Sequence, residues 1–199
     1  FPRIEDGELV RIARREGRTI LTCDRRLVQR RDARDHILIR SQDLAAQIAQ
    51  DTPGAYFINQ FGNPDNPRAH EESTGPEIWR QMEGKLDAIV FGVGSSGTMT
   101  GLSRFFARAA PHVELVIADP VGSILAQYIN EGTLSSKSAS WMVEGIGEDF
   151  LPPISDFTRV RKAYAISDGE SFHAGRELLR TEGILGGSST GTLLAAALT

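Results

Sequence analysis

The run Leu86-Asp87-Ala88-Ile89-Val90-Phe91, followed at once by Gly92-Val93-Gly94-Ser95-Ser96-Gly97, constrains the fold more than any other stretch of the chain. The first six positions read as a buried strand, the glycine-rich stretch as a tight turn, and Thr98 to Ala110 as a helix with one apolar face. Leu115-Val116-Ile117-Ala118 then reads as a second strand, closing on Asp119-Pro120. Strand, crossover helix and strand make a βαβ unit, and such units build parallel sheets. The fold class expected is α/β with a Rossmann-like parallel sheet. A shorter cycle follows near the end of the chain. Its parts are a strand Ala163 to Ile166, a helix Glu170 to Thr181, apolar Ile184-Leu185, a Gly/Ser turn over Gly186 to Gly191, and a helix Thr192 to Leu198.

Charge divides the chain into two parts. Residues 1 to 50 carry 11 arginines, no lysine and eight carboxylates, whereas the remainder is net acidic and holds 18 of the 20 glycines. A boundary is placed near Asp51-Thr52-Pro53-Gly54, giving an Arg-rich βα module over 1–50 and a second part over 51–199. The opening module reads as a helix Glu8 to Glu16 ended by Gly17, a strand Thr19 to Thr22, a helix Arg25 to Asp32, a strand His36 to Ile39, and a helix Asp43 to Gln50 capped by Ser41. After the boundary, Asn59 to Asn66 reads as a loop, and Thr74-Gly75-Pro76-Glu77 opens a helix through Met82. No apolar run approaches the roughly 20 residues of a bilayer span, so no membrane partner is expected. A single cysteine, Cys23, points to a reducing, cytoplasmic setting. The chain begins at Phe1 rather than methionine and is expected to be part of a longer protein.

The turn at Gly92 to Gly97 is the strongest candidate site. Backbone N–H groups at a strand-to-helix junction, with the positive end of the helix dipole, favour an anion. Gly92, Gly94 and Gly97 also match the dinucleotide pattern, with Asp119 at the end of the next strand, so an NAD-binding oxidoreductase is one reading. Hydroxyls at Ser95, Ser96, Thr98 and Thr100 favour instead a terminal phosphomonoester with three exposed oxygens. The second turn contains Gly-x-Ser-x-Gly around Ser189, but no acid or histidine follows it, which removes a serine hydrolase. His36, His70, His112 and His173 lack metal-ligand spacing and read as surface or packing residues, so no metal is expected. Trp79 and Trp141 read as packing residues. The arginines of the opening module leave an RNA-binding reading open, although the interspersed carboxylates favour a solvated, salt-bridged surface.

Several motifs in order resemble fold-type-II pyridoxal-phosphate enzymes, specifically the cystathionine β-synthase and cysteine synthase family. They are Asn59-Gln60-Phe61, Asn63-Pro64-Asp65-Asn66-Pro67 with His70, Thr74 to Trp79, Gly84 to Asp87, the phosphate turn, Asp119 to Ser123, Glu144 to Phe150, and Glu182 to Ser189. The resemblance covers about 52–199. It implies that Gly94, Ser95, Ser96, Gly97 and Thr98 hold the phosphate of pyridoxal 5'-phosphate and that Ser188 hydrogen-bonds the pyridine nitrogen. It also implies that Gly145, Ile146 and Gly147 form a substrate edge, with Glu148 and Asp149 as candidates to attract the substrate amino group. The implied activity is that of a lyase or synthase of cysteine biosynthesis and transsulfuration. A thiol replaces the β-substituent of serine or O-acetylserine, and the full-length protein is implied to be a homodimer.

The same family carries its coenzyme on a Schiff-base lysine in a Ser-x-Lys context. The lysines here are Lys85, Lys137 and Lys162, and none has that context. The chain alone is therefore expected to be catalytically incompetent, with no catalytic residue assigned. Residues 1–50 resemble part of a PIN-like ribonuclease-type domain, through Arg14 to Asp24, Leu27, Arg30-Arg31 and Ser41 to Asp43, with Asp24 as one acidic metal ligand. A divergent segment of the synthase is the alternative for this module.

Overall fold

A computed structural model of the chain describes residues 11, 14–17, 20–22, 36–38, 42–134 and 138–199, which fall into two units over residues 1–59 and 60–199. In the first unit, β1 (Ile20–Thr22) pairs in parallel with β2 (His36–Leu38), Ile20 opposite His36, and α1 (Gln42–Asp51) follows. Both strands fall within the runs expected from sequence. The helix expected at Arg25 to Asp32, together with Cys23, Asp24 and Ser41, lies outside the described residues.

The second unit begins with a continuous helical run. It consists of α2 (Asp65–Ala69), a π turn (His70–Thr74) and α3 (Gly75–Gln81). Asn59 to Asn66 was expected as a loop, but helix begins at Asp65. The correction has a simple cause. Pro67 occupies the first turn of α2, where a backbone N–H has no intrahelical acceptor, so the proline that suggests a break is tolerated.

Next come β3 (Ala88–Phe91), α4 (Gly97–Ala109), β4 (Glu114–Pro120), α5 (Leu125–Glu131), β5 (Val160–Ile166), α6 (Asp168–Glu182) and α7 (Ser188–Ala197). The strands form a parallel sheet in the order β3-β4-β5, with Ala88 opposite Glu114 and Ala118 opposite Tyr164. The βαβ unit and the parallel sheet expected from sequence are both present. The helix α5 has no counterpart in that reading. The second glycine-serine turn needs correction too. Gly187 is the cap and Ser188 already the first helical residue, because three hydroxyl residues are compatible with a first helical turn. Ile184 and Leu185 belong to no strand and are exposed.

Burial explains the central strand. β4 is flanked on both sides and carries Leu115, Ile117 and Ala118 into the interior, as an internal parallel strand must. The largest buried side chains beside it are Met99, Leu102 and Phe106 of α4 with Leu125 of α5. Burying each contributes roughly 1.5–3 kcal/mol. At the other end of the unit α6 packs on α7, where buried Thr192 donates its hydroxyl to Ser171 at 2.8 Å.

That helix pair leaves no space at Gly191, where a Cβ would collide with the Ser171 carbonyl, whereas one at Gly175 would sit 3.8 Å from the Gly191 Cα. Gly191→Ala is expected to destabilise the protein by about 1–3 kcal/mol in urea melts. Gly175→Ala, in the middle of α6, is expected to stabilise it by about 0.5–1 kcal/mol. Equal effects of the two would contradict the packing described.

Candidate anion and coenzyme site

The turn between β3 and α4 lines a cleft of about 190 Å³ with Gln60, Gly92, Gly94, Ser95, Ser96, Gly97, Thr98, Met99 and Gly145. Gly94 to Thr98, all singled out from sequence, thus share one cavity. Among the described residues, no backbone carbonyl accepts from the N–H groups of Gly94 to Thr98. The first four N–H groups of a helix have no intrahelical acceptor, so these donors remain for a ligand.

Two features of Ser96 point the same way. Its φ of 67° is left-handed, a conformation that costs a non-glycine residue about 1–2 kcal/mol. Its Oγ is buried without a hydrogen-bond partner, which costs about 1–3 kcal/mol more. Strain and an orphaned hydroxyl at one residue mark a turn shaped for a guest.

The neighbouring hydroxyls are aimed by residues from the helical run 65–74. The Asn66 Nδ2 donates to Ser95 Oγ at 3.1 Å and to the Gln60 carbonyl at 2.9 Å. With its oxygen so occupied, Ser95 keeps its own proton for an acceptor in the cleft. His70 bridges Thr98 Oγ1 through Nε2 (3.1 Å) and Thr74 Oγ1 through Nδ1 (3.0 Å). Sequence reading placed His70 among surface or packing residues, beside the Asn63 to Pro67 motif of the resemblance. Its link to Thr98 spans 28 positions and has no local signature.

The opposite wall is met at Gly145, in the segment Trp141 to Glu148. Gly147 N–H donates to the Val93 carbonyl at 2.8 Å, and the Trp141 indole donates to the Ile146 carbonyl at 3.0 Å. The Gly145 carbonyl closes on Gly94, where a Cβ would lie 2.9 Å from it. Of Gly145, Ile146 and Gly147, only Gly145 lines the cleft, and Ile146 is buried behind it. Ser188 does not line the cleft itself. Its Oγ accepts from the Glu144 N–H at 3.2 Å, next to Gly145, and it sits at the first turn of α7. Trp79 is a packing residue, edge-on to Phe106.

Two carboxyls near the site are pushed towards neutrality. Burial raises Glu148 to about 7, with smaller contributions from the charges of Asp149 and Asp119. Its Oε1 lies 3.9 Å from the position a Gly94 Cβ would take. A carboxyl held partly neutral there repels an anion in the turn less than a full charge would. Burial also raises Asp119 to about 6, opposed by hydrogen bonds from Ala126 and Ser123. Asp119 is 1% exposed and its Oδ2 accepts from the Ala126 N–H at 2.8 Å, so the carboxylate that a nucleotide ribose would need faces inward. Among the described residues no group of three or more His, Cys, Asp or Glu could hold a metal ion, and no helix is long and apolar enough to cross a membrane.

A donor-rich turn with an orphaned buried hydroxyl at a helix N-terminus, walled by glycines, suits a phosphoryl group rather than a metal or a base. The comparisons with known proteins agree with that chemistry. The family model described as "Pyridoxal-phosphate dependent enzyme" matches residues 2–199, and the chain belongs to this family. It is 38% identical to cystathionine beta-synthase of Apis mellifera over 155 residues, 78% of this chain and 30% of that protein. It is 37% identical to cysteine synthase A of Escherichia coli over 158 residues, 77% of this chain and 48% of that protein. Among solved structures, O-acetylserine dependent cystathionine beta-synthase from Helicobacter pylori matches with a TM-score of 0.80 at 28% identity, covering 97% of this chain and 65% of that one. The chain spans about a third of the cystathionine beta-synthases it matches. Its α/β fold is that of the type-II pyridoxal-phosphate enzymes, and the family's coenzyme is pyridoxal phosphate.

The raised Glu148 carboxyl has a consequence for stability. Its folded value lies above its ordinary 4.5, so the folded chain binds more protons between the two values. The contribution of this group is complete below pH 4.5 and is lost as pH rises towards about 7. Glu148→Gln lacks this loss, so the urea midpoint of wild type should fall relative to the variant over that window. Parallel midpoint-against-pH curves would contradict the buried setting.

Proposed function

We propose that this chain forms part of an enzyme that replaces the β-substituent of serine or O-acetylserine with a thiol, in the manner of the cystathionine β-synthases. In this reading the N–H groups and hydroxyls of Gly94, Ser95, Ser96, Gly97 and Thr98 hold the phosphate of pyridoxal phosphate, and Ser188 hydrogen-bonds its ring nitrogen. When bound, the coenzyme supplies an electron sink for bonds broken at the substrate α-carbon. The observation that carries the reading is the set of unused donors at Gly94 to Thr98 around the orphaned Ser96 hydroxyl.

Ser188 decides which chemistry such a site favours. A hydroxyl donates to the ring nitrogen without a full charge, so it does not drive that nitrogen to protonation as a carboxylate would. A weaker sink favours departure of a β-leaving group over reprotonation at the α-carbon. The glycines at 145 and 147 keep the substrate edge thin. Glu148, pushed to about 7, carries only part of a charge near neutrality, which leaves Asp149 the better candidate to attract a substrate ammonium.

Binding and turnover are separate matters for this chain. Lys85 is exposed and paired with Glu83 at 3.1 Å, Lys162 lies over the Tyr164 ring, and neither lines the cleft; Lys137 lies outside the described residues. These placements support a chain that holds the coenzyme without covalent capture and is inactive by itself. For the opening module, the family match over residues 2–199 supports a divergent segment of the synthase over a nuclease-like fragment. A homodimer and a cytoplasmic setting belong to the same proposal. The first rests on the family resemblance and the second on the single cysteine.

Calorimetric titration with pyridoxal phosphate tests the cleft. Thr98→Val is expected to weaken binding about 10- to 100-fold, the usual worth of a hydrogen bond to a charged group. Gly97→Asp, whose side chain would collide with Asn66 and bring a negative charge, is expected to abolish it. Equal binding by wild type and both variants would contradict the phosphate site, and saturable NAD binding with no uptake of pyridoxal phosphate would favour a nucleotide enzyme. Turnover of serine with homocysteine by the chain alone would contradict its inactivity.

A further inference from the structure

The wall of the cleft opposite the phosphate turn is fastened at a point remote from it. Asp168, the first residue of α6, accepts from the Met142 N–H with both carboxylate oxygens, at 3.0 and 3.1 Å. Two residues further along the same segment, the Glu144 N–H donates to Ser188 Oγ. One residue beyond that, Gly145 meets Gly94 across the cleft. The fastening is not part of the helix cap, because Ser167 and Glu170 form a reciprocal capping box of their own.

The hydroxyl of Ser188 gives this fastening its chemical meaning. A serine hydroxyl has one proton and two acceptor lone pairs. With the Glu144 N–H on one of its lone pairs and no acceptor of its proton among the described residues, Ser188 keeps its proton available to an acceptor beyond it. A free serine rotor would spread its proton over several directions. We infer that Asp168 is a positioning residue: by gripping the Met142 N–H it holds the segment 142–145 where the Glu144 N–H places the Ser188 oxygen, with its proton available to an acceptor atom on the ligand's ring end. The inference rests on the reading of Ser188 as the partner of the coenzyme ring, and it assigns Asp168 a part in ring recognition, separate from the phosphate turn.

The separation makes it testable by binding alone. Inorganic phosphate reads the turn, and the gain of pyridoxal phosphate over phosphate reads the ring end. Asp168→Ala is expected to weaken pyridoxal phosphate about tenfold while changing phosphate less than about twofold, since the lost contact is one charge-assisted hydrogen bond at the ring side. Asp168→Asn keeps an oxygen acceptor for Met142 and is expected to restore most of the affinity. In a Ser188→Ala background, Asp168→Ala is expected to change pyridoxal phosphate binding less than about twofold, because its effect runs through that hydroxyl. Equal weakening of phosphate and pyridoxal phosphate by Asp168→Ala would overturn the inference, as would losses that multiply in the double variant. A wild-type chain that binds pyridoxal phosphate no more tightly than phosphate would overturn the ring-end reading of Ser188 and the inference with it.

Discussion

Close approach of the helical run 65–74 to the first turns of α4 is the constraint on which the site depends. Gly97 and Gly101 leave no room for a side chain, because a Cβ at either would collide with Asn66, or with the Pro67 carbonyl and His70. That contact brings Asn66 to Ser95 and His70 to Thr98, so the hydroxyls of the turn are aimed from outside their own segment. The helix N-terminus supplies orientation of charge, and the helical run supplies orientation of protons. The π turn at His70 falls where that approach is made, in keeping with the frequent use of such turns at functional positions.

Electrostatics at the site run against intuition, and burial resolves the conflict. Glu148 would be a poor neighbour for a phosphoryl group if ionised. Removed from water and set near Asp119 and Asp149, it is held close to neutrality instead. Ser96 presents the matching case among uncharged groups, with a strained backbone and an unpaired buried hydroxyl. Both features cost stability in the empty protein. Strain of this kind is commonly stored at functional sites.

Much of the second unit was legible because its signals are local. A run such as Leu86 to Phe91, a glycine turn and an amphipathic helix declare a βαβ unit without help from distant residues, and the glycine-serine turn falls at the junction where chemistry is expected. Residues 65–74 were harder to read, because Asn-Pro-Asp-Asn-Pro has turn composition and only its place in a first helical turn permits the proline. Ser188 was legible as a polar contact but not as the first residue of a helix. The contacts of His70 with Thr98 and of Asp168 with Met142 were not legible. Their partners lie 28 and 26 positions away, so only the packing of the chain brings them together.

Backbone amide shifts during titration with inorganic phosphate measure the central claim most directly. If the turn after β3 donates its N–H groups to a phosphoryl anion, the amide protons of residues 94 to 98 move downfield together and saturate with one constant. Those of α6 should stay in place, since the fastening at Asp168 serves the other end of the cleft. Saturable shifts centred elsewhere, or none at residues 94 to 98, would contradict a phosphate cradle at this turn.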